Sequence, residues 1–166
     1  MPDAVCDSSV LITFAKVGRP ELLPKAFGRP LIIPQEVYAE AVVGGMEKKE
    51  PDAVLIGRLV KDGSVEVRKV KRLLDFPFID AGEKAVISLA LEQRLEWVCI
   101  DESQARNAAR QAGLKPMGTL GVLTRLVKLG FLKRKDAFEL VDRMVGTDFR
   151  ISAKVLDKFR ETLLKD

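Results

Sequence analysis

Histidine is absent from the 166-residue chain. Its absence excludes Ser-His-Asp and Cys-His catalysis, histidine general bases and zinc sites with histidine ligands. Any catalysis by this chain must therefore use carboxylates, lysine, hydroxyl groups or a metal ion held by oxygen atoms.

Cysteine is scarce, with Cys6 and Cys99 as the only two. Two cysteines cannot form a disulfide framework, and these two lack metal-ligand spacing. Each lies inside a predicted strand shortly before an aspartate, so we interpret both as small buried hydrophobic residues. They would come close to each other if their strands are neighbours.

Long apolar runs are also missing. None approaches the roughly 18 residues that a membrane helix needs. The N-terminus lacks a basic region followed by an apolar one, so we expect no signal peptide, a cytoplasmic location and no membrane contact. Hydrophobic residues at 47% and charged residues at 31% suit a globular fold. The length suits a single domain over residues 1–166.

The formal net charge is +4. A mildly basic surface suits an anionic partner such as nucleic acid. The excess is small, however, and many proteins without such a partner have a similar charge. Composition alone therefore leaves the class of partner open.

Predicted strands alternate with predicted helices through most of the chain. This order predicts an α/β fold in which a parallel sheet has right-handed crossovers and helices on both faces. The predicted extended segments are residues 3–7, 30–34, 64–70, 96–101 and 114–118. The predicted helices are residues 10–17, 20–27, 34–43, 52–61, 80–95, 103–113, 119–129, 135–145 and 153–164.

Several helix boundaries have residue signals of their own. Ser8 or Ser9 is a plausible cap for the first long helix. Asp80 and Glu83 have the spacing of a capping box, with aspartate in place of serine or threonine. The stretch "GGMEKKEP", residues 44–51, is typical of a turn or flexible connection.

Two aspartates follow predicted strands. Asp7 ends the apolar run of "AVCDSSVLI", and Asp101 repeats the arrangement in "WVCIDES". In parallel sheets, ligands bind at the carboxyl ends of the strands. Glu40 and Glu83 are two further candidates. Clustered carboxylates repel one another unless a cation neutralises them, and oxygen ligands suit Mg²⁺ or Mn²⁺, so a cluster of the four would indicate a metal site.

Each acid also has a purely structural interpretation. Asp7 could be an ordinary strand-end or capping residue, and Glu40 could be solvated, like Glu36 four residues earlier on the same helix face. Glu83 could serve only the capping box, and Asp101 could cap the helix that follows it. The joint placement of the four favours function.

Short motifs around these acids resemble the PIN-domain family, the ribonuclease fold of VapC-type toxins. The similarity covers about residues 3–130, and the motifs occur in the family's order. The motifs are "CDSSVLI", "IPQEVYAE", "DAGEKAVISLA", "IDESQAR" and "GTLGVL". The last pattern is similar to a largely uncharacterised prokaryotic branch. Helices in residues 131–166 would cover the sheet, form a dimer or bind a partner.

The resemblance implies a PIN-like three-layer α/β/α fold with four to five parallel strands, and a metal-dependent endoribonuclease. Asp7, Glu40, Glu83 and Asp101 would be catalytic and would hold Mg²⁺ or Mn²⁺, with the two aspartates as principal ligands. The implied partners are RNA, a small antitoxin protein and a second copy in a homodimer. The implied role is the toxin of a toxin–antitoxin pair.

Further residues have supporting roles in this interpretation. Ser8 or Ser9 falls where the family often carries a hydroxyl near the first acid, and Thr119 is a weaker helper. Arg106 and Arg110 lie four residues apart on one helix face and are candidates for RNA phosphate contacts. No aromatic platform for stacking bases is apparent.

Departures from the family pattern leave alternatives open. Glu83 stands where many relatives have aspartate, and a fifth acid is missing unless Glu102 substitutes for it. The rival hypothesis is a catalytically weak or inert PIN-like module that regulates or binds nucleic acid. A third is another metal-dependent phosphotransfer enzyme, but Ser9 replaces the second aspartate of a D-x-D motif, and there is no Walker A motif.

Overall fold

A parallel five-stranded sheet forms the centre of the protein. The computed structural model describes residues 2–165, and all strand pairs in it are parallel. The spatial order is β3-β2-β1-β4-β5. The predicted α/β class and parallel sheet are therefore confirmed, with five strands. They are β1 (Ala4–Cys6), β2 (Leu31–Pro34), β3 (Val65–Arg68), β4 (Trp97–Cys99) and β5 (Lys115–Met117).

Helices flank this sheet. The connection from β1 to β2 runs towards one edge of the sheet, and the connection from β4 to β5 runs towards the other edge. With right-handed crossovers, the helices of these two connections lie on opposite faces of the sheet. None of the helices in the described residues is long and apolar enough to cross a membrane. The helices are α1 (Ser8–Lys16), α2 (Leu22–Ala26), α3 (Gln35–Tyr38), a π-helical turn (Ala39–Val43), α4 (Gly44–Glu47), α5 (Pro51–Lys61), α6 (Ala81–Glu92), α7 (Ser103–Gln111), α8 (Thr119–Lys128), α9 (Arg134–Val145) and α10 (Ala153–Leu164).

The strand order reverses between β1 and β4. From β1 the chain builds outward through β2 to β3, and it then returns to add β4 and β5 on the other side of β1. The Asp7 amide donates a hydrogen bond of 2.9 Å to the Cys99 carbonyl oxygen, which joins the carboxyl ends of the two strands. This crevice is where doubly wound sheets bind their ligands, and both Asp7 and Asp101 lie beside it.

Cys6 and Cys99 are directly paired across β1 and β4. Both side chains are fully buried, and both are free thiols. Burial raises the pKa of the Cys6 thiol well above its usual value. A buried thiol that stays protonated is a poor nucleophile. The interpretation of both cysteines as small buried hydrophobic residues is therefore confirmed.

The predicted start of the first long helix is wrong by two residues. Helix α1 begins at Ser8, and its N-cap residue is Asp7, not Ser8 or Ser9. The extended backbone of Asp7 ends the strand and leads directly into the helix, and its carbonyl oxygen accepts from the Leu11 amide at 3.2 Å. No side chain caps this helix end, so the Asp7 carboxylate remains available to the crevice.

The predicted turn over residues 44–51 is also wrong in its first half. Helix α3, the π-helical turn and α4 form one continuous helix that ends at Glu47. The glycines suggested a break because glycine has low helix propensity. Gly45 instead permits close packing, since a Cβ atom added there would lie only 2.7 Å from the Cβ of Ala53 in α5.

The C-terminal helices pack against other helices. Helix α9 lies on α1 and α8, and α10 lies on α8. The Phe138 and Phe159 rings make an edge-to-face contact with centroids 6.1 Å apart. A bond of 2.8 Å from the Arg143 guanidinium to the Val17 carbonyl oxygen ties α9 to the end of α1. Residues 131–164 thus extend the helical layer around α1 and α8.

Candidate functional site

A cavity of about 440 Å³ opens beside the carboxyl end of β1. Serine and threonine hydroxyls and several carboxylates line it, and we call it the acidic cavity. Its acidic side chains come from five separate parts of the chain, which the fold brings together at the reversal of strand order. They are Asp7, Glu40, Asp80, Glu83, Glu102 and Asp148.

Little positive charge offsets these acids. Among the described residues that line the cavity, Lys16 is the one cationic side chain. Its ammonium group lies 2.9 Å from Asp148 Oδ2, so the Lys16–Asp148 pair is neutral overall. The other acids that line the cavity have no cationic partner among its described lining residues, so they create a negative potential that attracts cations.

Asp7 is the most strongly perturbed of these acids. Its residue surface is 4% exposed, and burial raises the pKa of its carboxyl group from 3.8 to about 7. The charges of Glu83 and Asp80 act in the same direction, while hydrogen bonds from the Ser8 backbone and the Ser9 hydroxyl oppose the rise. A buried carboxylate among like charges is the environment that a bound cation would relieve.

Glu40 reaches the same space from the π-helical turn. A Cβ atom added at Gly82 would lie 3.5 Å from Glu40 Oε2 and 3.6 Å from Asp7 Oδ1. The two carboxylates therefore converge on one backbone position at the start of α6, where glycine leaves room for them. Single π-helical turns often occur at functional sites because they redirect side chains within a helix.

Glu83 has two roles in the structure. Its Oε1 accepts from the Asp80 amide at 2.9 Å, and Asp80 Oδ1 accepts from the Glu83 amide at 2.8 Å. This confirms the predicted capping box. Glu83 also lines the acidic cavity, and burial, with Asp80 and Glu102 nearby, raises the pKa of its carboxyl group. The structural and functional interpretations of this residue therefore coexist.

Asp101 lies just after β4, but it does not line the acidic cavity. Its Oδ1 accepts from the Thr119 amide and its Oδ2 from the Thr119 hydroxyl, both at 2.7 Å. Asp101 therefore caps α8, whereas Glu102 caps α7 by accepting from the Ala105 amide at 3.0 Å. The alternative that Asp101 caps the next helix is thus wrong.

Asp101 lines a second cavity of about 500 Å³. We call it the arginine cavity because Arg106, Arg110 and Arg150 line it. The Arg106 guanidinium donates to the Asp101 carbonyl oxygen at 2.6 Å. A Cβ atom added at Gly118 would lie 3.0 Å from both the Arg106 Nη1 and Asp101 Oδ1 atoms. Phe149 lines both cavities and stands at their junction.

The structure thus brings three of the four predicted acids together. Asp7, Glu40 and Glu83 line the acidic cavity, and Asp101 lines the arginine cavity beside it. Glu102, proposed from the sequence only as a substitute fifth acid, lies in the acidic cavity instead.

The predicted supporting residues occupy distinct places. Ser8 is buried and lines the acidic cavity, and the exposed Ser9 hydroxyl donates to Asp7 Oδ2 at 3.2 Å. Thr119 is fully buried and positions Asp101. Arg106 and Arg110 both line the arginine cavity.

Sequence reasoning missed several lining residues. Asp80 was recognised only as a cap, although its place in the capping box put it next to Glu83. Asp148 and Phe149 follow α9, beyond the recognisable motifs, and no local pattern distinguishes them. Their contribution depends on how the C-terminal helices dock.

A divalent cation is the group that this fold implies. Within residues 2–165, no three side chains of histidine, cysteine, aspartate or glutamate form a ready-made metal cluster. The donor chemistry nevertheless fits a hard cation, because the available ligands are carboxylate oxygens. Asp7 and Glu40 converge near Gly82. Burial, and after it the nearby carboxylates, raise the pKa of Asp7, and a bound cation would stabilise its charged form. These two acids would hold the ion, with Glu83 beside them.

Comparison with known proteins identifies the family. No curated protein matches the sequence significantly. Among solved structures, the chain is similar to a PilT N-terminus domain protein, SSO1118, from the hyperthermophilic archaeon Sulfolobus solfataricus P2. The TM-score is 0.50 at 14% identity, over 90% of this chain and 99% of that one, so the likeness concerns the fold. A family model described as a PIN domain, DUF3368, matches residues 3–164. The chain belongs to this family of PIN domains.

Proposed function

We propose that the protein is a Mg²⁺- or Mn²⁺-dependent endoribonuclease. PIN domains are generally nucleases that use divalent ions. The observation that carries the proposal is the convergence of Asp7 and Glu40 in a cavity that Glu83 also lines. This cavity lies at the reversal of strand order, where an α/β sheet binds its ligand.

The chain's own residues have separable tasks in this reaction. Asp7 and Glu40 would hold the cation, and the Ser9 hydroxyl orients the Asp7 carboxylate through its hydrogen bond. When bound, Mg²⁺ or Mn²⁺ supplies charge stabilisation at the phosphodiester and a more acidic water molecule. Glu83 adds negative charge beside Asp7, and its capping box fixes it to the start of α6. Asp101 and Thr119 shape the neighbouring wall of the substrate cleft.

The test is cleavage of single-stranded RNA by the purified protein. We expect cleavage with Mg²⁺ or Mn²⁺, none with a chelator, and a loss of about a hundredfold or more in Asp7→Asn. Asp157→Asn is a control that removes an exposed acid of α10 lining neither cavity, and it should retain activity. An Asp7→Asn protein as active as the wild type would contradict the proposal.

A second candidate is a PIN-like module that binds nucleic acid without cleaving it. Two observations favour it: the lack of a ready-made metal cluster in residues 2–165, and the engagement of both Asp101 carboxylate oxygens by Thr119. RNA binding without cleavage, unaffected by divalent ions across varied RNA sequences, would support this candidate over the enzyme.

We further propose that the enzyme is the toxin of a toxin–antitoxin pair, held inactive by a small antitoxin protein. Support for this role comes from the motifs shared with VapC-type toxins. Expression of the wild-type chain in a bacterial host should then arrest growth, while Asp7→Asn at the same expression level should not. Equal growth of the two cultures would count against the toxin role.

A further inference from the structure

The segment that joins α9 to α10 forms part of both cavities. Thr147, Asp148 and Phe149 line the acidic cavity, and Phe149 and Arg150 line the arginine cavity. The pair of Lys16 and Asp148, 2.9 Å apart, anchors this segment to α1. A segment beyond the recognisable motifs therefore supplies the wall between the two cavities.

The arginine cavity is suited to an anion. Among the described residues that line it, Asp101 is the one carboxylate beside Arg106, Arg110 and Arg150. Both oxygens of that carboxylate already accept hydrogen bonds from Thr119. A guanidinium has five N–H donors. Arg106 uses its Nη1 atom for the Asp101 carbonyl oxygen, which leaves donors on its other nitrogen atoms. Arginine's planar fork matches phosphate oxygens.

The same cavity has an apolar side. Met117, Leu120 and Phe149 line it, and Phe149 is only partly buried. Unpaired bases in single-stranded RNA stack on such aromatic rings. The volume of about 500 Å³ lies in the usual range of small-ligand sites. A ligand with one flat aromatic part and one anionic part, such as a nucleotide, would contact Phe149 through its base and the arginines through its phosphate.

The arginine cavity lies next to the acidic cavity, and this position also favours binding of the substrate there. A phosphodiester brought to the acidic cavity meets repulsion from its carboxylates, and cationic groups next to it offset that repulsion. Phe149 lines both cavities and marks the boundary between them. An RNA strand that crosses this boundary would place one phosphate at the acids and the adjoining nucleotide at the arginines.

We propose that the arginine cavity is a nucleotide subsite for single-stranded RNA, in which a base stacks on Phe149 while Arg106 and Arg150 contact phosphate. This subsite rests on the proposed function for its substrate class. It assigns roles to Phe149 and Arg150, which lie outside the family motifs.

Equilibrium binding of the full chain to a fluorescein-labelled oligouridylate, measured by anisotropy in a chelator, tests the subsite without cleavage. Phe149→Leu keeps an apolar side chain and removes the ring, and we expect affinity to fall about tenfold at every salt concentration. Phe149→Tyr keeps the ring and should bind like the wild type. Thermal melting of each variant checks that its fold is retained.

Arg150→Ala should behave differently from Phe149→Leu. Loss of one phosphate contact should reduce the slope of log affinity against log salt by about 0.7. Phe131→Leu and Arg160→Ala are matched controls, because both residues are exposed and neither lines the arginine cavity. Both controls should match the wild type in affinity and slope.

The outcomes separate the subsite from the enzyme proposal. Weakened binding in Phe149→Leu and Arg150→Ala, without cleavage under any metal, supports the subsite and counts against the enzyme. Cleavage by the wild type, with both variants binding as tightly as it does, overturns the subsite alone. Equal affinity for a fully paired duplex RNA would also overturn it, since paired bases do not present a free face to Phe149.

Discussion

At the scale of single residues, Asp7 is the acid of the site whose pKa is changed most strongly. Its carboxyl group is buried next to Glu83 and Asp80, and its pKa rises to about 7. Between about pH 4 and pH 7, the Asp7 carboxyl group is therefore mostly protonated in the folded protein and mostly ionised in the unfolded chain. As pH rises through this window, the contribution of Asp7 to the free energy of unfolding falls, and the penalty is complete above the folded pKa.

Asp7→Asn removes this penalty. In a chelating buffer at about pH 8, we expect the variant to be more stable than the wild type by up to about 4 kcal/mol. The difference should vanish below about pH 3, where residue 7 is neutral in both the folded protein and the unfolded chain. Asp3→Asn, at an exposed position, should change stability by less than about 0.5 kcal/mol. Chemical denaturation at several pH values gives these numbers, and a wild type more stable than Asp7→Asn at the higher pH would contradict the electrostatic account.

The sequence predicted the position of Asp7 well and that of Asp101 only in part. Both aspartates follow buried strands, and the alternation of strands and helices places both at the same end of the sheet. The direction of each carboxylate depends on a later element, however. Thr119, 18 residues after Asp101 along the chain, turns the Asp101 side chain towards α8 through two hydrogen bonds. Such a tertiary contact leaves no local sequence pattern.

At the scale of elements, Glu40 and Glu83 reach the acidic cavity from two different kinds of helical structure. Glu40 comes from a π-helical turn, and Glu83 from the third helical position of α6. The capping box of α6 was predictable because its signal is local, an acid at the cap and another three residues later. The π-helical turn was not, since the flanking glycines indicated a break and the packing of Gly45 on Ala53 decided otherwise.

The capping box makes a stability prediction that separates hydrogen bonding from charge. Asp80→Ala removes the acceptor for the Glu83 amide, and Asp80→Asn keeps an acceptor while removing the same negative charge. We expect Asp80→Ala to be less stable than Asp80→Asn by about 1 kcal/mol in urea unfolding. Equal stability of the two variants would show that the cap contributes little here.

At the scale of the whole molecule, the C-terminal helices complete the site. The motifs end near residue 130, yet the segment after α9 supplies Asp148 and Phe149 to the acidic cavity. The sequence predicted both helices correctly as elements. Their docking on α1 and α8 depends on buried contacts such as the Phe138–Phe159 ring pair, which helical periodicity alone does not specify.

Because α9 and α10 pack on α1 and α8 through these contacts, we expect the C-terminal helices to unfold together with the sheet. Phe159 is buried, so Phe159→Ala should lower the free energy of unfolding by about 3 kcal/mol. Trp97, the single tryptophan, lies in β4 against Phe27 and reports on the sheet by fluorescence. Its transition and that of far-ultraviolet circular dichroism should shift by the same amount.

Leu164→Ala is the control for this comparison, since Leu164 lies on the same helix but is 65% exposed. It should leave both transitions within about 0.5 kcal/mol of the wild type. A Phe159→Ala protein whose Trp97 transition does not move would show that α10 unfolds as a separate unit, and the C-terminal segment would then not be a fixed wall of the site.

Calorimetric titration of the purified chain with Mn²⁺ is the most direct test of the acidic cavity as a metal site. We expect the wild type to bind Mn²⁺ and Asp7→Asn to bind it at least about tenfold more weakly, because the variant lacks the carboxylate that would hold the ion. Asp157→Asn removes an exposed acid from α10 and should bind like the wild type. Binding of Mn²⁺ by Asp7→Asn with unchanged affinity, or no binding by the wild type, would contradict the assignment of the acidic cavity as the metal site.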